Sequence, residues 1–274
     1  MAHNLEKYFE VVMKITKEAG KLVRQKIWEV KTVQTKSCAV DLVTETDQQV
    51  EKMLIDEISS YFPDHKFIGE ESTAEGKKIE LTDAPTWIID PIDGTMNFVH
   101  GFPHVCISIG LLVNKESEIG IIYNPVLEQL FTARKGQGAF YNDRPMKVSD
   151  KKEMSESLLA VEFGTSRNPE KMEVMLQNVK KLYPLVHGMR SLGSAALNIA
   201  NVALGGLDAY CEFGIHAWDM AAGEIIVREA GGVVIDPTGG PFDLMSGKIL
   251  CASTKELADE LSASLHQYTP PRDI

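Results

Sequence analysis

Trp87-Ile88-Ile89-Asp90-Pro91-Ile92-Asp93-Gly94-Thr95-Met96-Asn97-Phe98 is the stretch on which the reading of this chain turns. The apolar run Trp87 to Ile89 reads as a buried strand. It ends in two carboxylates, Asp90 and Asp93, separated by Pro91 and Ile92. Proline removes a ladder donor, so the strand is expected to stop there. Gly94-Thr95 then turns the chain into a helix start, where backbone N–H groups are free to meet an anion. Two more acids, Glu70 and Glu71, follow the short apolar segment Phe67-Ile68-Gly69. Four carboxylates brought together repel, a pair about 4 Å apart costing roughly 4 kcal/mol at an effective dielectric of about 20. Hard cations relieve that repulsion and prefer oxygen ligands. The pattern points to a Mg2+ site that handles phosphate. The plainer alternative is an Asp-Pro and Asp-Gly turn with solvated acids.

Composition sets the outer bounds. The chain has 274 residues and is 44% hydrophobic, enough to bury one large core or two closely packed lobes. Lys and Arg total 28 against 39 Asp and Glu, a net charge of −11. Such a chain is a poor candidate for direct binding to nucleic acid or an anionic membrane. A phosphate substrate would be repelled unless metal ions reverse the local field. Cys38, Cys106, Cys211 and Cys251 are far apart and form no C-x-x-C pair. Neither a zinc site nor a disulfide framework is indicated, and reduced cytosolic thiols are the simple interpretation. The N-terminus carries charges where a signal peptide needs an apolar core. The apolar stretch around Cys106 to Val113 is too short to span a bilayer. These features predict a soluble cytoplasmic protein.

The periodicity changes along the chain. Leu5, Tyr8, Phe9, Val12, Ile15, Ala19, Leu22, Val23 and Ile27 follow helical spacing. Lys31 to Val40 has no stable period and reads as loop. Thr46-Asp47-Gln48-Gln49 resembles a capping box for a helix that ends before Pro63. Val105 to Val113, Ile119 to Tyr123, Leu130 to Ala133 and Ala139 to Tyr141 form an antiparallel meander. Beyond about residue 150, strand and helix alternate, which suggests one domain over 1–274 with lobes of roughly 1–150 and 151–274. Leu158 to Phe163 reads as a strand. Asn168-Pro169 caps a helix, Ser194 opens another that Gly205-Gly206 closes, and Asp219 begins a third. Strands are expected over Ala209 to Phe213, Val233 to Ile235 and Leu250 to Ala252, before a last helix holding Leu257, Leu261 and Leu265.

Trp218-Asp219-Met220-Ala221-Ala222-Gly223 is the second informative motif. Small residues after Asp219 let a helix N-terminus come close to a neighbour, and the helix dipole stabilises a carboxylate there. Alone it could be an ordinary N-cap. Taken in order with Glu70-Glu71 and Asp90-Pro-Ile-Asp-Gly-Thr95, it resembles the inositol monophosphatase family. The likeness extends to Asp41-Leu-Val-Thr-Glu-Thr-Asp47, Gly193-Ser-Ala-Ala196 and Gly240-Pro-Phe-Asp243, and covers essentially the whole chain. The animal-type enzymes look most similar, through Lys36-Ser37, Phe98-Val99-His100 and Glu212-Phe-Gly-Ile-His216. Met96 departs from the pattern, standing where a second Thr often follows Thr95. If Thr95 points toward the acids, Met96 points away.

The resemblance implies a layered α-β-α-β-α sandwich, a homodimer, and Mg2+-dependent hydrolysis of inositol monophosphates with sensitivity to Li+. It implies that Glu70, Asp90, the Ile92 carbonyl and Thr95 surround one metal and that Asp90, Asp93 and Asp219 hold a second, with a weaker third near Glu70. Thr95 bonded to Asp47, or Glu70 itself, would take the proton of an attacking water. Gly94 and Thr95 N–H groups would hold the phosphate. Asp93, Glu212, Asp219 and the backbone of Gly193, Ser194 and Ala195 would meet the inositol hydroxyls. Lys36 lies in a loop that would close over the metals.

Other residues call for plainer roles. His100 and His104 are separated by Gly101 and Pro103, which break any helix that could align them as ligands. His216 is expected to pack or orient, Glu71 to support rather than ligate, and Met172 and Met175 to fill core. Two competing functions share the pattern. One is a sister phosphatase acting on a bisphosphorylated nucleotide or sugar. The other is a non-enzymatic binding protein, as some relatives are in bacterial transcription complexes. The short chain and Glu212 favour a small polyol phosphate, and retention of every predicted ligand favours catalysis.

Overall fold

A computed structural model describes residues 4–35 and 42–273. Lys36, Ser37, Cys38 and Asp41 lie outside the described residues. Asn4 caps α1 (Leu5–Lys26), whose helical spacing buries Val12, Ile15, Ala19 and Val23. β1 (Val33–Thr35) pairs antiparallel with β2 (Leu42–Thr44), so part of the expected loop is strand. α2 (Glu45–Tyr61) starts earlier than the sequence suggests. An N-cap needs extended backbone, and Thr44 supplies it at the end of β2 (φ −116°, ψ 162°). The capping box is therefore Thr44 with Asp47, whose carboxylate accepts from the Thr44 N–H at 2.9 Å.

The first large sheet contains the decisive stretch. β3 (Lys66–Gly69) leads into α3 (Glu70–Ala74) and lies parallel to β4 (Thr86–Asp93). After α4 (Thr95–Val99), an antiparallel meander follows through β5 (Cys106–Val113), β6 (Glu116–Asn124), β7 (Gln129–Arg134), β8 (Ala139–Tyr141) and β9 (Arg144–Met146). All eight residues of β4 are buried. Contrary to the sequence reading, β4 does not stop at Pro91. Asp90 pairs with Ser108 and Asp93 with Cys106, and the register shifts between them. The proline sits in a bulge, where its missing N–H interrupts nothing that the ladder needs.

The second large sheet runs in the order β11-β10-β12-β14-β13. Its elements along the chain are β10 (Leu158–Val161), α5 (Pro169–Leu182), β11 (Gly188–Arg190), α6 (Ala195–Leu204), β12 (Ala209–Phe213), α7 (Ala217–Glu229), β13 (Val233–Ile235), β14 (Lys248–Ala252) and α8 (Lys255–Ser264). Short β9 and β11 are absent from the sequence reading. Val12, Val23, Leu54 and Ile58 of α1 and α2 bury against Trp87, Ile89 and Ile109 on one face of the first sheet. The opposite face meets α6 and α7, which also pack against Tyr210, Ile249 and Cys251 of the second sheet. Leu182 of α5 and Leu257 and Leu261 of α8 cover its far side. The fold is the α-β-α-β-α sandwich that the resemblance implies.

Two glycines set how close α7 comes to the first sheet. A Cβ on Gly110 would lie 2.7 Å from the Ala221 Cβ, and one on Gly120 would lie 2.4 Å from the Ala222 carbonyl oxygen. Only bare backbone on β5 and β6 lets the Ala221-Ala222 face seat this deeply. The small residues that follow Asp219 thus carry its carboxylate toward the end of β4.

Candidate active site

The bulge of β4 and the first turn of α7 converge. Asp90, Asp93 and Asp219 each offer a carboxylate oxygen, and these atoms all lie within 4.8 Å of one another. Among the described residues this is the one cluster of acidic, His or Cys side chains with such a geometry. Asp90 and Asp93 are 2% and 6% exposed. Asp90 Oδ1 accepts from the Ile92 N–H at 2.9 Å, which locks the bulge. Asp219 accepts from the His216 N–H at 2.7 Å.

Desolvation and mutual repulsion make the charged forms costly. Burial, with the charges of Glu70, Asp93 and Asp219, pushes the Asp90 carboxyl well above its usual range. Burial raises Asp219 to about 7, with the Asp93 charge adding to the effect. Asp93 reaches only about 6, because the Ser194 hydroxyl and the N–H groups of Ala196 and Ala195 stabilise its charge against burial. The donor set is all oxygen and compact, so it suits a hard divalent cation.

Asp93 also ties β4 to the start of α6. Its Oδ2 accepts from Ser194 Oγ at 2.5 Å and from the Ala196 N–H at 2.7 Å, and its Oδ1 accepts from the Ala195 N–H at 3.3 Å. A carboxylate at this helix start compensates the unmet N–H groups of α6. Ser194 and Ala195 thus direct these donors at Asp93. Gly94 lies in the left-handed region at φ 94°, and a Cβ there would press to 3.0 Å from the carbonyl oxygens of Gly193 and His104.

Thr95 stands beside the cluster at the start of α4. Its Oγ1 is 3.1 Å from Asp47 Oδ1 and 3.1 Å from the Ile92 carbonyl oxygen. Asp47 is fully buried and is held on its other oxygen by the Thr44 N–H and hydroxyl. When Thr95 donates to Asp47, its oxygen lone pairs remain available to a water proton. Thr44, Asp47 and Thr95 form a continuous, largely buried hydrogen-bond chain, not a solvated turn. Met96 is 36% exposed. Glu70 follows β3 and its charge acts on Asp90. Glu71 is buried, and its N–H donates to Glu51 at 2.7 Å.

Glu212 lies on β12, 3% exposed, and accepts from the Tyr210 hydroxyl. His216 is occupied by Asp273, at 2.7 Å from Nδ1, and its ring stacks on Trp218. Cys106 Sγ lies 3.7 Å from Asp93 Oδ2, and burial pushes its thiol well up, so it is no nucleophile at neutral pH.

Two positioning residues are absent from the sequence reading. Glu162 is buried and accepts from Ser191 Oγ at 2.8 Å, the N–H groups of Leu192 and Gly193 at 2.5 and 2.8 Å, and Asn198 Nδ2 at 2.9 Å. It moulds the loop that precedes α6. Asn97 Nδ2 donates to the Leu192 carbonyl at 2.7 Å and to that of His104 at 2.9 Å, tying α4 to the same loop. The available signal for Glu162 was an acid within an apolar strand run, Leu-Leu-Ala-Val-Glu-Phe.

The sequence model of the inositol monophosphatase family matches residues 4–269. The chain belongs to the inositol monophosphatase family. Inositol monophosphatase 1 of Homo sapiens is 50% identical over 274 residues, covering 100% of this chain and 99% of the relative. The solved inositol monophosphatase of Anabaena (Nostoc) superposes with a TM-score of 0.83 at 35% identity, covering 96% of both chains. The extragenic suppressor protein suhB of Bartonella henselae gives a TM-score of 0.85 at 33% identity, covering 94% of this chain and 98% of that one.

Proposed function

We propose that this chain is a Mg2+-dependent phosphomonoesterase that hydrolyses myo-inositol monophosphates, releasing inorganic phosphate and free inositol for phosphoinositide synthesis and signalling. The observation that carries the reading is the meeting of Asp90, Asp93 and Asp219 within 4.8 Å beside the Thr95–Asp47 hydrogen bond. Two or three Mg2+ ions complete the site. Glu70, Asp90, the Ile92 carbonyl and Thr95 would hold one, and Asp90, Asp93 and Asp219 another. When bound, Mg2+ supplies charge neutralisation, affinity for phosphate oxygens and acidification of a nearby water.

The chain's own groups do the positioning. Thr95 Oγ accepts the proton of the attacking water as Asp47 takes the Thr95 hydroxyl proton, with Glu70 as the other base in reach of the site. The oxygen of that water bonds to phosphorus as the P–O ester bond breaks; the leaving oxygen takes a proton from a solvent water to give inositol, and the proton held on Asp47 returns to solvent. N–H groups of Gly94 and Thr95, at the start of α4, orient the phosphate. Asp93, Glu212, Asp219 and the Gly193-Ser194-Ala195 backbone recognise the ring. Lys36, outside the described residues, belongs to a loop closing over the metals. The protein works in the cytoplasm as a homodimer of one-domain chains, each with lobes near 1–150 and 151–274. It needs no nucleic acid or membrane. No helix among the described residues is long and apolar enough to cross a membrane.

Phosphate release with Mg2+ from inositol monophosphates, a sugar bisphosphate and a bisphosphorylated nucleotide tests the reading. The inositol esters should be preferred. Li+ should inhibit where equal Na+ does not. Preference for a bisphosphate would instead favour the sister activity, and no release from any ester would favour a binding protein.

A further inference from the structure

Away from the acid cluster, one buried charge has no bonded partner. Lys171, in the first turn of α5, has no exposed surface, and its Nζ makes no hydrogen bond among the described residues. An unpaired ammonium removed from water costs several kcal/mol, so a nearby opposite charge must offset it. Glu212 is that charge. A Cβ on Gly164 would lie 2.9 Å from Lys171 Nζ and 3.1 Å from Glu212 Oε1, so the two atoms are within about 6 Å of each other. They make no direct bond. Gly164 and Gly214 cover the ammonium, a Cβ on Gly214 falling 3.1 Å from Nζ. Tyr210 holds the other carboxylate oxygen, Oε2. Glu212 is thus gripped on one side by a phenol and faced on the other by a cation.

We propose that Lys171 is a positioning residue for substrate recognition: its buried ammonium favours the ionised form of Glu212, the stronger acceptor for a ring hydroxyl of a polyol phosphate. This role presupposes the inositol monophosphate reading above. Burial pushes the Glu212 carboxyl up to about 8, opposed by the Tyr210 hydrogen bond and the Lys171 charge, while Glu162 and Asp219 repel its ionised form. Burial lowers the Lys171 pKa, the Glu212 charge raises it again, and Arg167 disfavours the ammonium. Remove Lys171, and Glu212 protonates more readily. A protonated carboxyl is a weaker acceptor for the substrate hydroxyl than the carboxylate is.

Lys171→Met keeps the length of the side chain and deletes its charge. In steady-state kinetics with Mg2+, its KM for inositol monophosphate should rise about tenfold, with kcat changed by less than about twofold. KM for phenyl phosphate, which has no ring hydroxyl, should move by less than about twofold. The tenfold rise should shrink between about pH 7 and about pH 9, because Glu212 without its ammonium needs a higher pH to ionise. Lys171→Arg should restore most of the loss. Adding Lys171→Met to Glu212→Gln should cost nothing more. If the methionine variant does not fold, Lys171→Gln must show the same substrate and pH pattern. Equal KM increases on both substrates, a pH-independent loss, or an additive double variant would overturn the proposal. Cleavage of phenyl phosphate but not of inositol monophosphate by the unaltered enzyme is a different result. It would overturn the substrate reading, and the Lys171 role with it.

Discussion

The β4 end of the site and the β12 end solve opposite electrostatic problems with the same residue types. At β4, Asp90, Asp93 and Asp219 face one another within 4.8 Å, two of them almost fully buried. At β12, one buried carboxylate, Glu212, sits between the Tyr210 hydroxyl and the Lys171 ammonium. The first arrangement is unsatisfied by the protein and calls for an added cation. In the second, the Tyr210 hydroxyl and the Lys171 ammonium partly offset the burial of the carboxylate from within the chain. On the proposed function, a chain of net charge −11 would handle an anionic ester by taking up cations at the first end.

Breaking the β4 end should have the largest effect. Asp90→Asn should leave the protein folded and lower phosphate release by about 10³-fold, the loss of several kcal/mol of transition-state stabilisation. Near-normal turnover by the folded variant would undo the metal assignment. The Thr44–Asp47–Thr95 hydrogen-bond chain comes next. Thr95→Ala should lower kcat by about 10²-fold with little change in KM, and Asp47→Asn should do the same. Their double variant should be no worse than either alone. Additive losses would separate the two residues into independent roles.

The β12 end should give the smallest and most selective loss. Glu212→Gln should reduce kcat/KM for inositol monophosphate about tenfold more than for phenyl phosphate, since a site built to bond a hydroxyl discriminates through its unpaired polar groups. An equal loss on both esters would make Glu212 a structural residue.

The β4 end was legible in the sequence and much of the β12 end was not, for a physical reason. Asp93 and Asp219 stand near element ends and Asp90 at a bulge, each marked by proline, glycine or a small-residue run, and such punctuation is local. The seating of Ala221 and Ala222 on Gly110 and Gly120 could be anticipated as a close approach, but its partner could not, because it depends on sheet register. Pro91 was misread as a stop because a bulge is visible only once β5 is paired. The capping box slipped from Thr44 to Thr46 because the extended backbone at Thr44 comes from its pairing with Val33. Glu162 and Lys171 are single charges in segments with ordinary periodicity. Their roles exist only after the loop before α6 and the end of β12 are brought to them.

Thermal unfolding of the metal-free protein across pH, with and without Mg2+, tests most directly whether the cluster is built for a cation. Asp93 and Asp219 have folded-state pKa values raised to about 6 and about 7, and Asp90 is raised well above its usual range. A raised acid binds its proton more tightly folded than unfolded, so its contribution is complete at low pH and is lost as pH rises through the folded value. Glu212 titrates in the same sense, so Asp90→Asn is the comparison that isolates the cluster. The metal-free wild type should lose melting temperature between about pH 5 and about pH 8, at roughly 2–4 °C for each kcal/mol, and Mg2+ should restore it at the upper end. Asp90→Asn should show a weaker decline and little gain from Mg2+. A wild type whose melting temperature ignores Mg2+ at pH 8, or an Asp90→Asn variant that gains as much as wild type, would contradict the account.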